Sequence, residues 1–279
     1  MRSSIIYITV SLLFFSCQTQ KGESSTPATL ASDSLKYEVK YFGALKNMMH
    51  KGDVSAKVDL SDFENSKHLY AIGALENLKG EIQIIDGESF NTFVLDSAIS
   101  FDKSFDKKAA LLVYATVETW STYEIADGIK TYQQLEEYIS SIANKNGINI
   151  NEPFPFMIDG TAKSFDWHVI NWKDGDTEHS HEKHINSGLH GTIENREVEL
   201  LGFYSDSHHA IFTHHTTNMH IHVKTSDNKI AGHVDGLSLG KGMKLKLPAV
   251  KKKTIAEQHL ESMNIDARIK KDKYKSVRI

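Results

Sequence analysis

Three histidines occur close together in the segment NMHIHVKTSDNKIAGHVDG, residues 218–236. His220 and His222 alternate with apolar residues, which is the two-residue period of a β-strand, so both imidazoles point to one face. Turn-forming residues follow, and a four-residue loop over 226–229 sets His222 directly opposite His233 in an antiparallel hairpin. Opposed residues have Cβ atoms about 5 Å apart. The pattern therefore predicts three imidazoles that converge on one point.

Three neutral imidazoles on one face can bind a metal ion and leave a coordination position open for water or a substrate. Zinc suits imidazole ligands, and Cys17 is the only cysteine of the chain, so a cysteine-ligated site is excluded. Alternatively, the three histidines face solvent on the polar side of the hairpin. The spacing and the flanking apolar alternation favour the metal site, and we predict Zn²⁺ bound by His220, His222 and His233.

The other histidines are concentrated in the same half of the chain, since 12 of the 15 lie between His168 and His233. The segment EHSHEKH, residues 178–184, has enough histidines to bind a metal, but its charged and turn-like surroundings favour a solvated loop. Four more histidines precede the predicted ligands and either line the mouth of the pocket or face water. They are His208, His209, His214 and His215.

The composition is that of a soluble globular protein, because 40% of the 279 residues are hydrophobic and 24% are charged. This length is sufficient for one large domain or two smaller lobes with a hydrophobic core. The net charge of −4 gives no basic surface for nucleic acid, so we exclude nucleic acid as a partner.

The N-terminus has the features of an export signal. Arg2 precedes an apolar run, residues 5–15, that is too short to span a bilayer as a helix. The run ends in LLFFSC and resembles a bacterial lipoprotein signal, residues 1–17, in which Cys17 is lipidated; an ordinary signal peptide is the alternative. The polar residues 18–36 predict a flexible tether. We therefore expect a lipid-anchored protein of the bacterial cell envelope, on its periplasmic or surface side.

Residues 37–150 predict an N-terminal lobe with a mixed β-sheet and two helices. The first helix ends at Gly52, and the second, TYQQLEEYISSIANK, begins with a capping box of Thr131 and Gln134. The intervening segments HLYAIGAL, GEIQIIDGESFNTFVL and AALLVYATVETW have the composition of strands, and the dipeptide at residues 86–87 predicts a hairpin turn.

Residues 151–250 predict a second lobe that consists mostly of strands and carries the histidine hairpin. Residues 251–279 predict a helix that begins at Thr254, followed by a basic, solvated tail. The expected fold class is therefore α+β: two mixed β-sheet lobes with a few helices, and the zinc site on a β-hairpin of the second lobe.

From about residue 41 to 247, the chain resembles the α-acetolactate decarboxylase family. The family's ligand motif, G-x-H-x-H followed by a turn and G-G-H-V, corresponds to residues 218–234, with Asn218 and Ala231 in place of two glycines. The segments GALKNMMHKGD and YAIGALENLKGEIQIIDGESF follow the family's N-terminal motifs. The segment ELLGFYSD follows its G-F-x-x-P region, with Asp206 in place of the proline.

The resemblance implies that His220, His222 and His233 are the zinc ligands and that Glu81 enters the active site from the first lobe. Without the resemblance, Glu81 would be interpreted as an exposed strand residue before a hairpin. The implied reaction is loss of CO2 from 2-acetolactate, or from a similar 2-hydroxy-3-keto acid, to give acetoin. Zinc would polarise the substrate, and Glu81 would return a proton. The family also implies a homodimer that forms through the N-terminal sheet.

The chain departs from the family where the substrate carboxylate is held. The family has an arginine eight residues after the glycine of an I-D-G strand, and the same position here is His168. Arginine is always charged, whereas histidine is mostly neutral at pH 7. Lys163 is a candidate replacement for the charge. Glu257 and Glu261 are candidates for a second glutamate that the family brings from its C-terminal tail.

The leading functional interpretation is a zinc-dependent decarboxylase in which Glu81 and His168 are catalytic. One alternative is a zinc enzyme of the same fold that hydrolyses its substrate with a zinc-bound water. The other is an envelope lipoprotein that binds zinc, without catalysis, through its histidine-rich second half.

Overall fold

A computed structural model describes residues 37–250, which form two antiparallel β-sheets and three α-helices within one compact unit. The predicted signal peptide, tether and C-terminal tail lie outside these residues, together with Cys17, Glu257 and Glu261. Within residues 37–250, no helix is long and apolar enough to cross a membrane. The helices are α1 (Leu45–Lys51), α2 (Tyr132–Lys145) and α3 (His181–Asn186).

The first sheet has the strand order β1-β8-β3-β4-β6-β7, with β2 beside β8 and β5 beside β4. The predicted turn joins β4 to β5, because Asp86 and Gly87 adopt the positive φ angles, 52° and 82°, that a tight hairpin turn requires. The strands are β1 (Lys40–Phe42), β2 (Val58–Asp59), β3 (Leu69–Leu75), β4 (Glu81–Ile85), β5 (Glu88–Ser89), β6 (Asn91–Leu95), β7 (Ala98–Asp102) and β8 (Lys108–Thr116).

The second sheet has the order β11-β12-β13-β10-β14-β9, and a further pairing of β10 with β11 closes four of its strands into a ring. The segment FPFMIDGTAKSFDWHV forms the single long strand β10. The strands are β9 (Trp120–Glu124), β10 (Phe154–Val169), β11 (Leu189–Tyr204), β12 (Met219–Thr225), β13 (Ala231–Ser238) and β14 (Lys244–Pro248).

The two sheets pack against each other through a shared hydrophobic core. Leu111 and Val113 of β8 belong to one core with Leu201 and Phe203 of β11. Leu112, whose side chain points the other way, belongs to a separate core on the opposite face of the first sheet. Burial on both faces explains why β8 is almost continuously apolar. Polar side chains that enter the interface between the sheets therefore need a partner.

The α+β class is confirmed, and two details of the expected architecture need correction. All strand pairings within the two described sheets are antiparallel rather than mixed. The successive pairs β3–β4, β6–β7 and β12–β13 are joined by connections too short for a parallel crossover. The chain enters the second sheet at Trp120, well before residue 150, because β9 pairs with β14. The helix α2 likewise packs Leu135 and Ile139 into the core of the second sheet.

Candidate metal centre

The predicted hairpin of β12 and β13 is confirmed, with His222 directly opposite His233. The loop of residues 226–229 is closed by a hydrogen bond from the amide of Thr225 to the carbonyl of Ile230 at 2.9 Å. The Oγ1 atom of Thr225 also accepts a hydrogen bond from the amide of Ile230 at 3.1 Å. These bonds fix the register, and the register decides which imidazoles face each other.

The three histidines predicted as zinc ligands converge at one buried point. The ring centroid of His220 lies 5.0 Å from that of His222 and 5.1 Å from that of His233. The centroids of His222 and His233 are 5.6 Å apart. The Nε2 atoms of His220 and His222 are separated by 3.2 Å. The hairpin alone therefore brings three imidazoles together.

The imidazoles of His220 and His222 favour the neutral form and are incompletely hydrogen-bonded. Burial lowers the pKa of His220 and His222 well below the usual histidine value, and the charges of neighbouring histidines act in the same direction. The Nδ1 atom of each ring is buried without a hydrogen-bond partner, which is unfavourable. Close Nε2 atoms, unpaired ring nitrogens and a donor set of nitrogen and oxygen atoms fit a divalent metal ion such as Zn²⁺.

Asp235 links His233 to His168. His168 lies on β10 opposite His233, and their ring centroids are 4.8 Å apart. The Asp235 carboxylate accepts hydrogen bonds from Nδ1 of His168 at 2.7 Å and from Nδ1 of His233 at 3.1 Å. Burial acts to raise the pKa of Asp235, but these two hydrogen bonds outweigh it and hold the pKa well below its usual range. The three side chains form a group that could hold a metal ion.

Asp235 is not among the site residues predicted from the sequence. The spacing H-V-D puts Asp235 on the same face of the strand as His233, and this two-residue period is the signal that could have identified it. The register between β13 and β10 shifts at this point, between Asp166 and Trp167, so Asp235 has no directly opposed residue in β10. Such bulges re-aim side chains next to functional sites.

Glu81 enters the centre from the first sheet and is buried, so it is not an exposed strand residue. Its Oε2 atom lies 3.8 Å from Nε2 of His222, and its Oε1 atom lies 3.8 Å from Nε2 of His168. Oε1 also accepts a hydrogen bond from the amide of Ile170 at 3.1 Å. Burial raises the pKa of Glu81 to about 7, although the charge of His233 and the Ile170 hydrogen bond act against this. A carboxyl group with this pKa can hold or release a proton at neutral pH.

Gly80 allows β4 to begin where it does. Its φ angle is +149°, and a β-carbon at this position would lie 2.1 Å from the carbonyl oxygen of Thr92. Thr92 is the residue of β6 that pairs with Glu81. The close approach of β6 to Gly80 therefore sets the position from which the Glu81 side chain reaches the histidines.

A cavity of about 60 Å³ lies where Glu81 meets the histidines. One wall is apolar and includes Met48, Leu78 and Leu111. Within residues 37–250, no lysine or arginine lines the cavity, so its polar wall consists of one carboxyl group and imidazoles. The histidines of that wall are His168, His181, His184, His214, His220 and His233.

Two expectations about the surroundings of the centre were wrong. Residues 181–184 of the segment EHSHEKH form the start of α3 rather than a loop, and His181 and His184 line the cavity although no residue of α3 is buried. Lys163 is exposed and does not line the cavity, because it is an odd number of residues from His168 along a strand whose side chains alternate. His214 was expected either to line the pocket or to face water, and it lines the cavity. Its neighbour His215 is exposed.

The fold and the site define an α+β protein of two packed antiparallel sheets, with a buried, histidine-rich candidate metal centre where the sheets meet. The chain belongs to the alpha-acetolactate decarboxylase family, whose model matches residues 41–264. A search of curated proteins found no significant match.

Solved structures share this fold. The alpha-acetolactate decarboxylase of Bacillus subtilis strain 168 has a TM-score of 0.62 and 16% identity, over 77% of this chain and 86% of that chain. The acetolactate decarboxylase of Bacillus subtilis subspecies spizizenii has a TM-score of 0.62 and 17% identity over the same shares. A Staphylococcus aureus protein of unknown function, similar to alpha-acetolactate decarboxylase, has a TM-score of 0.56 and 15% identity over 75% of this chain and 84% of that chain. At these identities the likeness concerns the fold.

Proposed function

We propose that this protein removes CO2 from 2-acetolactate, or from a similar 2-hydroxy-3-keto acid, to give acetoin, with a divalent metal ion such as Zn²⁺ bound by His220, His222 and His233. The observation that carries the proposal is the position of Glu81, whose carboxyl oxygens lie 3.8 Å from Nε2 of His222 and of His168. A proton donor and a histidine centre therefore meet at one small cavity, in a chain of a decarboxylase family.

A metal ion held by these imidazoles would polarise the carbonyl and hydroxyl oxygens of the substrate and stabilise the negative charge left when CO2 departs. Two features of the protein suit these histidines to metal binding. Asp235 binds Nδ1 of His233, which leaves Nε2 of that ring as the metal ligand. Burial keeps His220 and His222 neutral, so their nitrogen lone pairs are available.

Glu81 has the properties of the acid that returns a proton to the carbon that has lost CO2. Its pKa of about 7 leaves a substantial fraction of the carboxyl group protonated at neutral pH. Oε1 accepts the Ile170 hydrogen bond, so the proton resides on Oε2. Since Glu81 is fixed on one side of the cavity, the proton reaches one face of the substrate carbon, and the product is a single enantiomer of acetoin.

His168 stands at the position where the family resemblance implies an arginine. Asp235 fixes its ring through Nδ1, which directs Nε2 toward the cavity and Glu81. When protonated, Nε2 can donate a hydrogen bond to the substrate carboxylate, with Asp235 as the counter-ion. The apolar wall of Met48 and Leu111 suits the two methyl groups of 2-acetolactate and keeps water from the reacting carbon.

The test mixes the full chain, loaded with Zn²⁺, with racemic 2-acetolactate and follows acetoin by chiral chromatography, with and without a chelator. We expect one acetoin enantiomer, formed only when the chelator is absent. Protein that retains one zinc ion and gives no acetoin would contradict the proposal. The search would then turn to other hydroxy-keto acids and to the hydrolysis of esters.

We also propose that the chain is held at the bacterial cell envelope by a lipid on Cys17. The support is the basic start at Arg2, the apolar run of residues 5–15 and the sequence LLFFSC. Labelling cells with radioactive palmitate should mark the wild-type chain and not the Cys17→Ser variant. Absence of label from both chains would contradict the anchor.

A homodimer that forms through the first sheet is a further part of the proposal, and its support is the family resemblance. Sedimentation equilibrium of the purified chain measures its mass in solution. We expect twice the mass of one chain, and a monomer at micromolar concentration would contradict the dimer.

A further inference from the structure

The segment that leads into β12 is fastened to α2 by the carboxylate of Glu136. Its Oε2 atom accepts hydrogen bonds from Oγ1 of Thr217 at 2.5 Å and from the amide of Asn218 at 2.9 Å. Oγ1 of Thr217 in turn accepts a hydrogen bond from the amide of Met219 at 3.1 Å. Three successive residues are therefore tied to one side chain of α2. Met219 begins β12, and His220 is the next residue.

The helix α2 is a firm support for this carboxylate. A capping box fixes the start of the helix at Thr131. Leu135, Ile139 and Ala143 are buried in the core of the second sheet. Glu136 follows Leu135, so it lies at the border of the buried face, because each residue turns a helix by about 100°. Hydrogen bonds to a carboxylate are about twice as strong as those between neutral groups, which suits Glu136 to hold the segment.

Of the three proposed metal ligands, His220 has the least support from strand pairing. His222 lies between β11 and β13, and His233 lies between β12 and β10. His220 is opposite Phe203 of β11, but the pairing of β12 with β13 in the described part of the chain begins only at His222. Within residues 37–250, Nδ1 of His220 also has no hydrogen-bond partner. The position of this imidazole therefore depends on the segment that precedes it.

Asn218 fastens the same segment from its other side. Its side-chain oxygen accepts a hydrogen bond from Nε2 of His209 at 2.7 Å, and its side-chain nitrogen donates to the hydroxyl of Tyr204 at 3.4 Å. Its carbonyl accepts a hydrogen bond from the amide of Ser205 at 2.8 Å. The family motif has a glycine at this position, and glycine has no side chain for such bonds. The chain thus departs from the motif where Glu136 holds the backbone.

We propose that Glu136 is a positioning residue of the metal centre: it holds Thr217 and Asn218 so that the ring of His220 meets those of His222 and His233. The inference rests on the proposed function, because it requires His220 to be a metal ligand. Glu136 does not line the cavity, so it acts through the backbone and not on the substrate. Metal ligands must be held to within about 0.5 Å, and the residues that support them contribute to metal affinity.

The test titrates the full chain, stripped by a chelator, with Co²⁺ alone, whose visible absorption depends on the number and geometry of its ligands. We expect Glu136→Ala to bind Co²⁺ about 10-fold more weakly than the wild type and to change the absorption, because His220 is no longer held. Thr217→Val, which lacks the hydroxyl, should change both in the same direction, and Thr217→Ser should restore them. Glu137→Ala removes an exposed carboxylate from the next position of α2 and is the matched control.

His220→Gln separates this inference from the metal centre itself, and we expect it to weaken Co²⁺ binding more than Glu136→Ala does. Wild-type affinity and absorption in Glu136→Ala, with a loss in His220→Gln, would overturn the positioning role and leave the metal centre standing. Wild-type binding in both variants would overturn both. Because the measurement is metal binding, failure of the decarboxylation would not change its outcome.

Urea titrations of the metal-free variants measure the fold separately from the metal. A lower free energy of unfolding in Glu136→Ala, without a change in Co²⁺ affinity or absorption, would mean that Glu136 only stabilises the fold and would overturn the inference. If Glu136→Ala does not fold, the comparison of Thr217→Val with Thr217→Ser decides the outcome.

Discussion

Nδ1 of His168 lies 2.7 Å from the carboxylate of Asp235, and the same carboxylate accepts a hydrogen bond from His233. One side chain thus fixes both the ring that faces Glu81 and the ring of a proposed metal ligand. Asp235 reaches the cavity through these two rings, so we regard it as a positioning residue. Its carboxylate also sets which nitrogen of each ring carries the hydrogen, and so which nitrogen faces the cavity.

Asp235→Asn should weaken zinc binding by His220, His222 and His233 by about 10- to 100-fold, because a neutral amide orients His233 less firmly and makes its Nε2 less basic. Competition with a chromophoric chelator measures this affinity. Asp96→Asn is the control, since Asp96 is exposed and its φ of 49° suits asparagine. Equal zinc affinity of the Asp235→Asn variant and the wild type would contradict the positioning role.

Glu81→Gln should lower kcat for acetoin formation by at least about 100-fold, because an amide cannot deliver the proton. The zinc content should stay unchanged, since Glu81 is not a ligand in the proposed centre. Acetoin assays at saturating substrate and zinc analysis of the same sample measure both. The control is Glu88→Gln on β5, an exposed residue of the same sheet. Loss of zinc together with activity would make Glu81 a metal ligand and contradict the assigned role.

Asp102, at the end of β7, makes the stability of the first sheet depend on pH. Hydrogen bonds from Lys107, at 2.9 Å, and from the amide of Ser104, at 2.7 Å, lower its pKa from 3.8 to about 2. Because the folded pKa lies below the unfolded one, this contribution to the free energy of unfolding is present above about pH 4 and is lost as the pH falls toward 2. Solvent screens the pair, so the contribution is below about 1 kcal/mol.

Asp102→Asn should therefore lower the free energy of unfolding at pH 7 by less than about 1 kcal/mol and leave it nearly unchanged at pH 2. Urea titrations at the two pH values measure the difference. Asp106→Asn, an exposed residue nearby, should have no such effect. A loss of stability that is larger at pH 2 than at pH 7 would show that another interaction is responsible.

Local patterns predicted the parts of the fold that depend on neighbouring residues. Thr131 and Gln134 form the capping box of α2, and His222 lies opposite His233, because cap spacing and loop length fix these geometries directly. The boundary between the lobes was predicted near residue 150, whereas the chain already enters the second sheet at Trp120, because β9 pairs with the distant strand β14. The pattern of apolar and polar residues within one strand does not indicate which distant strand it pairs with.

The part of the site that lies on the hairpin of β12 and β13 could be predicted from the sequence, because neighbouring residues determine its geometry. Glu81 belongs to the other sheet, and only the family resemblance indicated that its carboxyl group is buried among histidines. The histidines of α3 were assigned to solvent because their own segment is charged. They lie beside the cavity together with His214, which contacts His181 and belongs to a different part of the chain.

His222→Ala should abolish acetoin formation while the chain remains folded, because backbone pairing and the loop at residues 226–229 hold the hairpin without this imidazole. Loss of the metal ion bound by His220, His222 and His233 should also reduce the stabilisation by zinc. At a zinc concentration of 100 times Kd, the increase in the free energy of unfolding should be smaller than in the wild type by about 2.7 kcal/mol. Urea titrations with and without zinc measure it, and His50→Ala, an exposed histidine of α1, is the control. A His222→Ala protein that stays active without zinc would rule out the centre of His220, His222 and His233 as the site of decarboxylation.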